Sequence, residues 1–481
     1  MLKEKIKSSA IIILIVNLIF LTSQLWFVNP ANSLGSDFIR YLRSVPLVQR
    51  FFPIEPEYSI SKQNLSMPRK FLVNDGSLWM AYYNTDIGFL PIEQRTREII
   101  KGFLSGDVTG VKQIDNATWE AGLESLSIYV EYPVAFSTDM FCRIMGVGTE
   151  NVPEGISTLR EFIILPSSEE SDICILARDH SSRDIFYAYI LSPTYSLPAS
   201  DLSVYATNDD VYYQPAFSTG LELNEKSNVT LAPLVLFSDS TPQTQVLQPH
   251  NLINENSKNA LLQNFSFNPA TINTYEDSNG SVNYIANYAS VTLHPDSFFE
   301  YSSVSQDRGI LLDESGDPYN VLNAAIDFAE DTWKCVSPEP LSILVTSDLS
   351  DYNSEQAYTF KFDYYCNGRP VEVILEESYG HGAMNCAIEM TVKNGRLISY
   401  RQYLRSYSAI FSQDLPDNFV TALDSFVKEV DSESKTPTVI EDIYIGYLDS
   451  GDNGDIHAAW LAKTSDGKIY RYEEKSEVAQ Q

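Results

Sequence analysis

The chain has 481 residues, 44% hydrophobic and 12% aromatic, with a formal net charge of −31 from 33 basic and 64 acidic side chains. Such a field repels nucleic acid, so no nucleic-acid partner is expected, and the apolar content argues for a sizeable core divided among roughly two to four domains. The five cysteines (Cys142, Cys174, Cys335, Cys366, Cys386) are sparse and lack CxxC spacing, which supports neither a disulfide scaffold nor a zinc ribbon.

Residues 1–9 carry Lys3, Lys5 and Lys7 against Glu4 and are expected to be cytoplasmic. Residues 10–28, "AIIILIVNLIFLTSQLWFV", are 19 residues without a charge. As a helix rising about 1.5 Å per residue they match the ~30 Å hydrocarbon core. One crossing of the bilayer is expected, with the C-terminal bulk extracytoplasmic in the cell membrane. Three lysines and one glutamate before residue 29 leave the other 453 residues at −33. A cleaved signal peptide would share the basic start. However, "SQLWFVNPANS" puts bulky residues where a small-x-small cleavage site belongs, so the segment reads as an uncleaved anchor.

Asn17 and Gln24 lie seven residues apart, two helical turns, on one face with Ile13, Phe20 and Leu21. Facing lipid, the amides lack partners. Facing another helix, each can make a hydrogen bond of roughly 0.6–2 kcal/mol. Ile13, Asn17, Phe20, Leu21 and Gln24 are therefore the expected partner-binding face.

Residues 29–56 read as a stalk with a short amphipathic helix, in which Phe38, Leu42 and Val45 precede Pro46. Residues 57–249 read as an N-terminal β-rich outer domain with strands at "SLWMAYYN", "LSIYVEYPVAF", "REFIILP", "DICILARD" and "IFYAYILS". One helix interrupts them at "LPIEQRTREIIKGFLSG", with Ile92, Ile99, Ile100 and Phe103 on one face. "DSTPQTQVLQPHN" reads as a linker.

Beyond it the sequence partly repeats. "DPYNVLNAAIDF" and "LPDNFVTALDSF" align at an offset of 98 residues, matching Pro318 with Pro416, Asn320 with Asn418, Ala324 with Ala422 and Phe328 with Phe426. Each is expected to start a helix with Pro in its first turn. "FFEY" and "LISY" sit 99 residues apart before them. The repeat predicts a middle α+β domain at 250–350 and a C-terminal α+β domain at 351–481, each with one helix across an antiparallel sheet. Ser465-Asp466-Gly467 marks a closing hairpin. The expected fold class is α+β: one N-terminal transmembrane helix, then a multi-domain, β-rich ectodomain with antiparallel sheets packed by few helices, the last two units duplicated.

No catalytic template closes. Ser-x-x-Lys at Ser432/Lys435 and Ser465/Lys468 lacks its companion elements. "DSGDNGD" (449–455) puts Asp449 and Asn453 at calcium-loop positions but Gly451 and Trp460 where ligands belong, and reads as an acidic turn. His381, between glycines, reads as a mobile hairpin tip. No enzyme activity, cofactor or metal is expected.

The basic start, the single crossing and the duplicated outer part resemble the YycH family, with a C-terminal portion like YycI and a closing hairpin like PepSY domains. The resemblance rests on "IKSSAIIILIVNLIFLTSQLWF", "YTFKFDYYCNGRPVEV", "NGRLISYRQYL", "DIYIGYL" and "AAWLAKTSDGKIYRY". The chain departs from the family phrases at Glu372, where a bulky apolar residue is expected, and at Ala459. The resemblance implies a non-enzymatic accessory of an essential membrane sensor histidine kinase controlling cell-wall metabolism in Gram-positive bacteria. It also implies a YycI-like partner and contacts within the lipid bilayer between transmembrane helices. A membrane-anchored module that binds cell-wall material is the alternative.

Overall fold

The computed structural model describes residues 59–472 apart from short segments at 77, 85, 87, 151, 168–171, 183–184, 206–212, 220–222, 224–226, 239–242, 287, 379, 416–417 and 435. The anchor at 10–28 and the stalk lie outside the described residues, and with them Ile13, Asn17, Phe20, Leu21 and Gln24. Among the described residues no helix is long and apolar enough to cross a membrane. What is described is mixed α+β, rich in strands, with mainly antiparallel sheets and few helices.

The first sheet takes β1 (Lys70–Asn74), β2 (Trp79–Tyr83), β3 (Val108–Ile114), β4 (Ser127–Ser137), β5 (Thr158–Leu165), β6 (Cys174–Arg178) and β7 (Phe186–Leu191) in the order β2-β1-β4-β5-β6-β7-β3. Its strands are apolar on both faces because both are covered. On one side Phe71, Val73, Ile128 and Val130 pack with Ile92, Ile99, Ile100 and Phe103 of the helix Phe89–Leu104. The stripe seen in the sequence is thus the buried face, and the chain leaves the helix through Gly106 at φ +72°. On the other side Leu72, Tyr129, Ile163 and Leu176 pack with Trp119 and Leu123 of the helix Asn116–Glu124.

Next come β8 (Tyr213–Pro215), β9 (Val229–Leu231), β10 (Leu236–Ser238) and β11 (Gln243–Asn251). The expected linker is therefore strand from Gln243 onward. The sequence from there supplies β12 (Asn273–Glu276), β13 (Val282–Ile285), β14 (Ala289–Leu293), β15 (Phe298–Ser303), β16 (Ile310–Leu311), β17 (Ile343–Val345), β18 (Tyr358–Cys366), β19 (Arg369–Val373), β20 (Ile388–Lys393), β21 (Arg396–Tyr403), β22 (Arg405–Asp414), β23 (Thr438–Asp449), β24 (Ala459–Thr464) and β25 (Ile469–Arg471). A second sheet runs β12-β13-β14-β15-β21-β20-β18-β19-β23-β24-β25, with β16, β17 and β9 attached at its side. The "FFEY" and "LISY" strands meet inside it, with Tyr301 opposite Tyr400. β9 pairs in parallel with β23, and β11 pairs with β22.

The two repeated helices are Pro318–Lys334 and Phe419–Glu433. The first starts as the sequence predicts, with Asp317 capping Tyr319 and Asn320 and Pro318 in the first turn. The second starts at Phe419 and is capped by Asn418, so the aligned asparagines do different jobs: Asn418 is a cap and Asn320 lies inside its helix. Pro416 lies outside the described residues. The second helix covers β9, β23, β24 and β25 through Phe419, Leu423, Phe426 and Val430, packed with Val229, Ile440, Trp460 and Ala462. Gly467, at φ +81°, turns β24 into β25.

Candidate functional site

Register builds the site. Across the first sheet, Tyr83, Lys70, Glu131 and Glu161 stand opposite one another on successive strands. Each lies two residues from an apolar member of the Trp119 face (Ala81, Leu72, Tyr129, Ile163), so by the period of two they share that face and form its polar border. Arg178 of the next strand continues the row and reaches Glu161 at 3.4 Å.

The C-terminal sheet brings Asp442, Tyr444, Lys463, Asp363 and Glu372 to this border. Glu131 is 7% exposed and Lys70 4%. Glu131 receives Lys70 at 3.1 Å, Arg160 at 3.1 Å and Arg69 at 3.8 Å. Arg69 also pairs with Asp442, which Lys70 approaches at 3.8 Å. The Arg69 guanidinium sits over the Tyr444 ring, 4.9 Å from its centroid. Burial alone would raise the Glu131 carboxyl, but Lys70, Arg160 and Arg69 outweigh it and bring its pKa down to about 2. Burial lowers Arg69, and Asp442 and Glu131 more than reverse that, leaving it above its ordinary value.

Asp363 is in the opposite situation. It is 3% exposed and accepts the Ala387 N–H at 3.1 Å. Burial, then repulsion from Glu372, then a hydrogen bond to Glu372 push its carboxyl well above the usual range, with Lys463 too weak to offset them. Ionising Asp363 in this buried position beside Glu372 is therefore unfavourable. Glu372 also accepts from the Tyr444 hydroxyl.

These groups line two neighbouring spaces. A cavity of about 220 Å³ is bounded by Arg69, Tyr83, Asp86, Asp363, Tyr365, Arg369, Glu372, Tyr444, Trp460 and Lys463, among others. A crevice of about 870 Å³ shares Arg69, Pro133, Thr346 and Lys463 with it and extends past Glu131, Arg160, Arg178 and His180. Sequence reasoning did not assemble these residues. The one signal was Glu372, a charge where an apolar residue was expected.

Two residues weighed in the sequence take other roles. His381 is no open tip: it is 1% exposed, bonds Asp296 through Nε2 at 2.9 Å and stacks on Phe298 with centroids 4.1 Å apart. Asp449 of the acidic turn is buried and holds Arg405, 0% exposed, at 2.6 Å, while Tyr407 donates to it at 2.7 Å and Asn453 accepts from Arg405 at 2.9 Å. A guanidinium of the chain itself fills that loop. Among the described residues no group of three or more His, Cys, Asp or Glu side chains is arranged to hold a metal ion.

Together these features define a β-rich α+β protein with a charged seam between two sheets and a cavity lined by charged and aromatic side chains beside it. Its fold is YycH-like. The solved structure of YycH from Bacillus subtilis superposes with a TM-score of 0.55, covering 87% of this chain and 98% of that one at 14% identity. An uncharacterized protein from Eubacterium rectale aligns over 48% of this chain and 82% of its own, with a TM-score of 0.28 and 8% identity. No family model and no curated protein matches the sequence.

Proposed function

We propose that the protein is a membrane-anchored, extracytoplasmic regulator of a sensor histidine kinase of the YycG/WalK type. In this reading it works without catalysis, within a two-component system that controls cell-wall metabolism. The observation that carries it is the YycH-like fold, extending over 98% of the solved YycH chain. The uncharged run at 10–28 supports it by supplying the means of contact, a helix whose Asn17 and Gln24 amides seek partners within the bilayer. The outer parts at 57–249, 250–350 and 351–481 then meet a YycI-like protein. The last two are read as a duplicated pair, supported by the 98-residue repeat and by the pairing of Tyr301 with Tyr400.

Replacing Asn17 and Gln24 with Leu preserves membrane insertion in this reading and reduces co-purification with a YycG-type sensor histidine kinase. Unchanged co-purification sinks the helix-contact mechanism. The second reading, an anchored ligand-binding module, is favoured by one observation: a cavity in which Arg369 and Lys463 form no ion pair with a described carboxylate.

A further inference from the structure

The 220 Å³ cavity holds charges of both signs that do not neutralise each other. Arg369, at the start of β19, feels Asp86 electrostatically but forms no ion pair or hydrogen bond through its guanidinium with any described residue. Lys463 stands in the same relation to Asp363. Asp86 accepts the Tyr83 N–H at 2.7 Å, yet burial still holds its carboxyl above the usual value, because Arg369 stays too distant to offset it.

Elsewhere along the seam the chain closes such gaps, as Lys70, Arg69 and Arg160 do around Glu131. In the cavity Arg369 and Lys463 make no such ion pair with a described carboxylate. Arg369 and Glu372 are fixed on β19, and Lys463 is fixed on β24 opposite Asp442. Strands cannot slide to complete an ion pair without breaking their ladders. Unpaired charge of both signs on rigid walls is therefore complementary to a molecule that carries both signs itself. Tyr83, Tyr213, Tyr365 and Trp460 line the same space and offer aromatic surface to the body of such a molecule.

We propose that this cavity binds a small zwitterion, an amino acid or dipeptide with a free ammonium and a free carboxylate. The carboxylate meets Arg369, and the ammonium meets the Asp363–Glu372 pair. A simple anion is disfavoured by the carboxyls and a simple cation by Arg369 and Lys463. The inference does not rest on kinase regulation, and its test involves no kinase.

The test is calorimetric titration of the full-length protein in detergent with alanyl-alanine, in both enantiomeric forms. N-acetyl-alanyl-alanine and alanyl-alanine amide, each lacking one charge, are the controls. Saturable binding by one enantiomer is expected, at least ~10-fold weaker for each blocked derivative and for Arg369→Gln and Glu372→Gln, about 1.4 kcal/mol or more. Thermal unfolding of each variant checks that it is folded, and Arg369→Lys is expected to recover part of the affinity. The comparison of derivatives uses the unmodified protein and stands even if a variant fails to fold. Absence of saturation up to about 10 mM, equal binding of the blocked derivatives, or wild-type affinity in folded Arg369→Gln and Glu372→Gln overturns the proposal.

Discussion

Around Glu131, three cations converge on one carboxylate, and a second carboxylate, Asp442, shares two of them. Around Asp363, a few residues away along the same seam, a carboxyl leans on another carboxyl, and the nearest lysine acts only at a distance. Both are buried, so both lose water. The difference is whether the chain itself replaces that water. Where it does, the charge holds two sheets together; where it does not, the charge is held in reserve against the fold's own stability.

The largest expected effect comes from removing the carboxylate at the centre of the satisfied side. Glu131→Gln leaves the buried Lys70 and the half-buried Arg160 without their main anion, and denaturant unfolding should show a loss of roughly 3–5 kcal/mol. A loss within 0.5 kcal/mol, roughly the scatter of ordinary surface changes, erases the contrast.

Acid should produce a similar but smaller effect. Because the folded pKa of Glu131 lies at about 2, below its ordinary 4.5, its contribution is complete above the unfolded value. It is lost as pH falls from about 4.5 towards 2, by roughly 3 kcal/mol in full and by roughly 2 kcal/mol at pH 3. Denaturation midpoints at pH 6 and pH 3 measure this, and Glu131→Gln should flatten that part of the profile.

The unsatisfied side should respond with the opposite sign. The raised pKa of Asp363 means its favourable contribution is complete below its unfolded value and is lost as pH rises through the folded one. Asp363→Asn keeps an acceptor for the Ala387 N–H and can donate to Glu372 at any pH. It should raise stability by roughly 1–2 kcal/mol at pH 8, and the gain should shrink at pH 4. A net loss at pH 8 shows that the ionised pair is satisfied after all. The smallest effect is expected for Tyr444→Phe, which removes the hydroxyl bonded to Glu372 and should cost about 1 kcal/mol in the same assay.

Much of the local structure was legible in the sequence. The stripe of Ile92, Ile99, Ile100 and Phe103, the tyrosine- and isoleucine-rich runs and the Asp466-Gly467 turn follow periods that neighbouring residues set among themselves. The repeat also located two real helices, but their buried faces only partly coincide. Val321 and Phe419 are both buried, whereas Leu322 is buried and its counterpart Val420 is 53% exposed. A shared pattern of apolar letters does not fix which neighbour each helix meets.

The candidate site was hidden for a related reason. Lys70, Glu131 and Glu161 are far apart in sequence, and only strand register, set by the packing of Leu72, Tyr129 and Ile163 beneath them, lines them up. The Arg405–Asp449 pair was equally invisible, because "DSGDNGD" invites a foreign cation while the arginine that fills it lies 44 residues upstream.

The strands β9 and β11 have a practical consequence. They come from the middle of the chain, yet they complete β23 and β22, which lie near its end. A recombinant fragment beginning after Asn251 therefore exposes two bare strand margins, ready templates for pairing with other copies and for aggregation. Anyone dissecting this protein by truncation should keep Val229–Asn251 attached to the C-terminal part, or supply it in trans as a peptide that re-inserts.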